Sequence, residues 1–137
     1  MSKIAGISHM TFIVKDIEKT AQLFIDLFDA REVYDSERNF FSISREKFLM
    51  INNLWIALME GDSLPAKTYN HIAFKIDATD YEFYLSKIKQ LGLEMKAGRS
   101  RIKAEAQSIY FYDYDNHLFE LHTGTIEERI AGYSDNL

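Results

Sequence analysis

His9 and His71 stand 62 residues apart in two stretches of one shape, GISHMTFIVKD and TYNHIAFKID. A second pair, NNLWIALMEG (52–61) and DNHLFELHTG (115–124), repeats at an offset of 63 and matches Asn53 with Asn116, Leu58 with Leu121 and Gly61 with Gly124. In that alignment Ala57 stands where Glu120 stands. Side chains alternate between faces along a strand. His9 therefore shares a face with Ile7, Thr11 and Ile13, His71 with Tyr69, Ala73 and Lys75, and Glu120 with Leu118 and His122. A pseudo-twofold relating the repeats brings two imidazoles and one carboxylate to a cleft, with the fourth equivalent position vacated by Ala57. Three protein ligands and an open side form the donor set of a catalytic divalent metal. Imidazole with carboxylate suits Zn, Mn, Fe or Ni without separating them. Taken singly, each of the three is an ordinary strand residue; their coincidence with the repeat makes them candidates.

The elements that must position these residues come in two passes of one plan. After the first histidine strand, Ile17, Ala21, Phe24, Ile25 and Phe28 recur at helical spacing and predict one apolar stripe. After the second, Tyr81, Tyr84, Ile88 and Leu91 do likewise, with Asp77 or Thr79 as the cap and Gly92 as the stop. Strand-like runs follow in each half: REVYD, FFSIS, KFLMI and LWIALME, then LEMKA, SIYFYD and HLFELHT. The connector is GDSLPAKT, which holds the only proline. The expectation is an α+β chain of paired βαβββ modules, module one over about 5–61 and module two over about 67–124. Residues 125–137 read as a short helix and a loose tail, with Thr125 and Glu128 spaced as a capping box. A module of this size buries too little core alone, so two pair, with their sheets curled around a shared cleft.

Composition bounds the rest. The 137 residues carry a net charge of −5, 47% hydrophobic residues and no cysteine. The sign argues against nucleic acid, and the missing cysteine removes disulfides, thiolate metal sites and a cysteine nucleophile. No apolar run approaches the ~20 residues that span a bilayer, and MSKIAGISHM lacks the apolar core of a signal peptide. A soluble, cytoplasmic protein is the expectation.

ISHMTFIVKD, LWIALMEGDS, TYNHIAF and SIYFYDYDNHLFELHTGTIEER resemble the fosfomycin-resistance proteins of the vicinal oxygen chelate superfamily, in order and spacing, from about Ile7 to Arg129. The longer stretch YDSERNFFSISREKFLMINNLW makes the chain most similar to the FosX-type, epoxide-hydrolase branch. The resemblance implies the same three metal ligands, His9, His71 and Glu120, with Mn(II) as the metal. It implies an intertwined homodimer in which one subunit supplies the first histidine and the other the remaining two ligands. It nominates Glu46 as general base, a residue that by itself reads as a solvated hairpin charge. It nominates Thr11, Trp55, Tyr69, Ser108, Tyr110 and Arg129 as substrate contacts, where hydroxyls and a guanidinium donate to phosphonate oxygens. By themselves Trp55 and Tyr110 read as core aromatics and Arg129 as a helix charge. In RSRIKAEAQSIYF, Ala104, Ala106 and Gln107 depart from a loop that is usually richer in glycine and more basic. That leaves Arg99, Arg101 or Lys103 to compensate.

The implied reaction is addition of water to the oxirane ring of fosfomycin, giving a vicinal diol. Two enzymatic alternatives share the scaffold: opening of the same epoxide by a low-molecular-weight thiol, or action on a related phosphonate with fosfomycin as a side substrate. A module that sequesters the anion without chemistry is the third. His122, two residues from Glu120 on its face, reads as a neighbour of the ligand, while His117 reads as a solvent-facing turn residue and Lys75 as lying beyond reach of the metal.

Overall fold

The structure, a computed structural model, describes residues 1–39, 41–98 and 106–137. It divides into two compact units, Met1–Pro65 and Ala66–Leu137, with the boundary inside GDSLPAKT.

In the first unit, β1 (His9–Val14), α1 (Ile17–Phe28), β2 (Arg31–Asp35), β3 (Glu46–Ile51) and β4 (Leu54–Glu60) follow the expected βαβββ order. The sheet runs β1-β4-β3-β2; β1 is parallel to β4 and the other pairs are antiparallel. Asp16 caps α1, its carboxylate accepting from the Lys19 N–H at 3.1 Å, and Asp29 closes the helix in the left-handed region at φ 54°. The buried face of α1 is Ile17, Thr20, Ala21, Leu23, Phe24 and Leu27, whereas Ile25 and Phe28 are only half-buried. The expected stripe is therefore rotated: Leu23 and Leu27 take the core positions that Ile25 and Phe28 were read to fill. Phe24, Leu49, Ile56 and Leu58 are all but inaccessible, and burial of each such side chain contributes about 1.5–3 kcal/mol. The opposite face of the sheet collects His9, Thr11, Glu46, Phe48, Trp55 and Ala57, because cross-strand partners share a face. The run FFSIS is not a strand: residues 41–44 form bends, and Phe40 lies outside the described residues.

The second unit repeats the plan with β5 (His71–Lys75), α2 (Tyr81–Gln90), β6 (Met95–Lys96), β7 (Ser108–Tyr112) and β8 (Leu118–His122), in the order β5-β8-β7-β6. Asp77 caps a single 3₁₀ turn that leads into α2, and Gly92 ends the helix at φ 67°. Of the stripe expected on α2 only Ile88 is fully buried, and LEMKA contributes a strand of two residues. The rings of Phe74, Phe119 and Phe111 stack in sequence on one face of this sheet. The tail is more ordered than expected: α3 (Ile126–Asp135) starts at Thr125, whose hydroxyl accepts from the Glu128 N–H at 3.1 Å. Among the described residues, no helix is long and apolar enough to cross a membrane.

Strand register makes the internal repeat explicit. Thr11, two residues after His9, pairs with Ala57; Ala73, two residues after His71, pairs with Glu120. Phe48 pairs with Ala57 as Tyr110 pairs with Glu120, and Glu46 pairs with Met59 as Ser108 pairs with His122. The carboxylate of the second unit and the alanine of the first are structural counterparts.

Candidate active site

In the second unit, β5, β7 and β8 bring all the residues expected there onto one face. The pleat aims His71 and Glu120 the same way, with Nε2 of His71 3.0 Å from Oε1 of Glu120. Nδ1 of His71 lies 2.6 Å from the carbonyl of Tyr69, so that nitrogen carries a proton and donates. Glu120 is 4% exposed. Its Oε2 accepts from the Ser108 hydroxyl at 2.5 Å. Tyr110, opposite it in register, also donates to the carboxylate. Tyr110 has one proton and gives it to Glu120, so the Tyr69 hydroxyl, 3.2 Å away, donates to Tyr110. Burial works to raise the Glu120 carboxyl, but the bonds from Ser108 and Tyr110, with His122 and His71 beside it, hold it below its ordinary value. Burial, with the Glu120 charge beside it, pushes the Tyr110 phenol well above its ordinary value, so it stays a donor.

Arg129 enters this group from α3: Nη2 lies 3.3 Å from Nε2 of His122, whose Nδ1 is 2.7 Å from the Ser108 hydroxyl. Ser108, expected as a substrate contact, thus has its hydroxyl between Glu120 and His122. The His122 link was visible in sequence only as a shared face. His117 does not face solvent as expected; its Nδ1 lies 2.7 Å from Asp113 Oδ2, which locks the β7–β8 turn. Lys75 donates to the carbonyls of Thr123 and Gly124 at 2.6 and 2.7 Å. Ala106 and Gln107 lead into β7, the Gln107 N–H donating to the Thr123 hydroxyl. Arg99, Arg101, Lys103 and Ala104 lie outside the described residues.

In the first unit, His9 is exposed at the start of β1, stacked on Trp55 at 4.2 Å between ring centroids, with the Ser8 hydroxyl 3.0 Å from Nδ1. The Trp55 indole N–H is buried without a hydrogen-bond partner. Thr11 is exposed beside Ala57. Glu46 opens β3, and Ser36 clamps its backbone: the Ser36 N–H donates to the Glu46 carbonyl at 3.0 Å, and the Glu46 N–H donates to Oγ of Ser36 at 2.9 Å. The neighbours of Glu46 are bound into a network of carboxylates. Arg45 takes Asp35 with two nitrogens, at 2.8 and 3.2 Å, and reaches Glu18 as well. Lys47, 4% exposed, meets Glu32 at 2.6 Å and both Glu18 and Asp35 at 3.3 Å. The Arg45 guanidinium holds the Asp35 carboxyl far below the usual carboxylate range. A depressed folded-state pKa gives stability that is fully present above the unfolded value near ~4 and is lost as the pH falls from there toward the folded value. Asp35→Asn therefore lowers stability at neutral pH, and its gap from the wild type closes in acid. Urea unfolding at neutral and acidic pH reads both; a gap that stays constant in acid counts against the ion-pair account.

The donor set fits a divalent cation. Both nitrogens of His71 face acceptors, the Tyr69 carbonyl and the Glu120 carboxylate. With Nδ1–H given to the carbonyl, Nε2 needs a positive centre toward Glu120, either a proton or a metal ion, and a buried ionised carboxylate beside it suits the metal. Among the described residues, no group of three or more His, Asp or Glu side chains is placed to hold a metal ion.

The model of the Glyoxalase/Bleomycin resistance protein/Dioxygenase superfamily matches residues 6–121. The fosfomycin resistance protein FosX of Listeria innocua is 56% identical over 130 residues, 95% of this chain and 98% of that protein. The chain belongs to this superfamily, in its FosX-type branch. A crystal structure of a point mutant of FosX from Listeria monocytogenes, complexed with Mn(II) and 1S,2S-dihydroxypropylphosphonic acid, superposes with a TM-score of 0.85 at 52% identity, covering 95% of this chain and 98% of that one. The metallothiol transferase FosB of Bacillus licheniformis is more distant within the superfamily, at 33% identity over 98% of this chain and 85% of that protein. The FosX-type likeness thus spans both units, from β1 to α3.

Proposed function

We propose that this chain is a Mn(II)-dependent epoxide hydrolase that adds water to the oxirane ring of fosfomycin and confers resistance to that antibiotic. The observation that carries the reading is the pairing of buried Glu120 with half-buried His71, completed on one side by the Tyr69 carbonyl and on the other by Ser108 and Tyr110. It is supported by a FosX relative holding both Mn(II) and a dihydroxypropylphosphonate. His9, His71 and Glu120 would hold the metal, with His9 contributed by a second copy of the chain in a homodimer. The two units then act as one functional domain.

When bound, Mn(II) supplies positive charge for the oxygen that becomes anionic as the ring opens. Glu46 takes a proton from water as the new C–O bond forms at the carbon next to phosphorus and the ring C–O bond breaks. The ring oxygen leaves with the electron pair and is protonated, so the product is the vicinal diol. Arg129 and Thr11 supply donors for the phosphonate oxygens; the Tyr69 and Tyr110 protons are already engaged with each other and with Glu120. Trp55 offers an apolar wall and an unpartnered indole N–H. Ser36 holds the Glu46 backbone on both its N–H and its carbonyl.

Phosphorus NMR of fosfomycin with the Mn(II)-loaded protein tests this directly. A diol signal without added thiol is the expected result. A new signal only when thiol is present moves the chain to the transferase chemistry of its FosB relatives. Intact fosfomycin under both conditions overturns the assignment of substrate.

A further inference from the structure

Ser108, His122 and Arg129 do not lie separately around Glu120; their hydrogen bonds form a chain whose direction is fixed at one end. A guanidinium has donors and no acceptor. The contact of Arg129 Nη2 with His122 Nε2 at 3.3 Å therefore requires a lone pair on Nε2. The proton of the neutral ring is then on Nδ1, which lies 2.7 Å from Oγ of Ser108. The Ser108 oxygen accepts from Nδ1, and its hydroxyl donates to Oε2 of Glu120 at 2.5 Å. Nδ1 of His122 also lies 3.3 Å from the same carboxylate oxygen. Each link sets the next.

The two ends face different tasks. Glu120 is buried beside His71. Arg129 and His122 line a cavity of about 480 Å³ together with Thr125, Ile126 and Tyr133. Gly124 lets the backbone pass close to the ring: a Cβ there would lie 3.0 Å from His122 Nε2 and 2.5 Å from Cβ of Ala106. The register supplies the rest, since Ser108 pairs with His122 across β7 and β8 and so shares the face of Glu120.

We propose that Ser108 and His122 are positioning residues that form a one-directional relay, holding the Glu120 carboxylate in its metal-binding orientation and tying it to the Arg129 guanidinium. The proposal rests on the metal reading above. Outer hydrogen bonds of this kind fix the orientation of a ligating group, and losing them costs about 10–100-fold in metal affinity.

Two amides separate the two ends of the imidazole. The amide of Asn reaches about as far as Nδ1 and donates to Ser108, but leaves nothing at Nε2; that of Gln reaches Nε2 and accepts from Arg129, but offers no donor at Nδ1. The test is titration of Mn(II) alone into metal-free protein, followed by the electron paramagnetic resonance of the free ion, with circular dichroism to confirm the fold of each variant. Ser108→Ala and His122→Gln are expected to bind Mn(II) about 10–100-fold more weakly, while His122→Asn stays close to wild type. Long-range proton–nitrogen NMR of the metal-free wild type is expected to show His122 as the Nδ1–H tautomer and needs no variant. An Nε2–H tautomer, or wild-type affinity in both Ser108→Ala and His122→Gln, overturns the relay. A wild-type chain that does not bind Mn(II) overturns the metal reading and the relay with it. One that binds Mn(II) but leaves fosfomycin intact sinks only the substrate assignment.

Discussion

Glu46→Gln is expected to lower fosfomycin turnover by about 10²–10⁴-fold while Mn(II) affinity and substrate binding stay near wild type. Gln has the size of Glu but cannot accept the proton of water, so the loss falls on the chemical step. The structure favours an unusually clean experiment. Both backbone groups of Glu46 are held by Ser36, so the substitution leaves the chain trace in place. Its neighbours Arg45 and Lys47 are bound to Asp35, Glu18 and Glu32. They are therefore not free to turn and neutralise the base. Steady-state phosphorus NMR gives kcat, and calorimetry with metal and product gives binding. Full activity in Glu46→Gln removes the base assignment; lost Mn(II) binding shows that the residue serves the metal instead.

His71→Ala is expected to abolish Mn(II) retention and activity together. The ring provides the Nε2 that faces Glu120 at 3.0 Å. His9→Ala is expected to do the same. Mixing the two inactive proteins distinguishes a site shared between copies from one built within a single chain. If one copy gives His9 and the other gives His71 and Glu120, a mixed dimer has one doubly damaged site and one intact site. Random exchange then restores about a quarter of wild-type activity, because half the dimers are mixed and half their sites are whole. No recovery after complete exchange places all three ligands in one chain. Unchanged metal content in His71→Ala would remove the site altogether.

The repeat was legible because it is written twice. Two histidine strands, each followed by a helical stripe and a run of strands, are periodic signals that do not depend on long-range pairing. The same logic nominated His9, His71 and Glu120 as candidates, since matching offsets stand in for matching positions. Local pattern failed where packing decides. Ile25 and Phe28 fit a helical period as well as Leu23 and Leu27 do, and only the sheet beneath α1 selects between them. FFSIS has strand composition, but residues 41–44 form bends and pair with no strand among the described residues. The position of Ser108 was legible, but its partners were not: they follow from the pairing of β7 with β8, which sequence spacing does not reveal. The Arg45–Asp35 pair was hidden for the same reason, its members lying ten residues apart on either side of a loop.

The register that makes Ala57 the counterpart of Glu120 also makes Glu46 the counterpart of Ser108, and Met59 that of His122. Duplicated parts ordinarily insure one another, since damage to one copy is covered by its twin. These twins no longer do. One holds the His–Glu pair proposed to grip a cation, the other the carboxylate proposed to handle a proton, and neither can stand in for its sibling. A chain assembled from two second halves would have spare His–Glu pairs and a serine at the Glu46 position, whereas one assembled from two first halves would have a spare glutamate and an alanine at the Glu120 position. Division of labour has made the two halves of one pattern mutually indispensable.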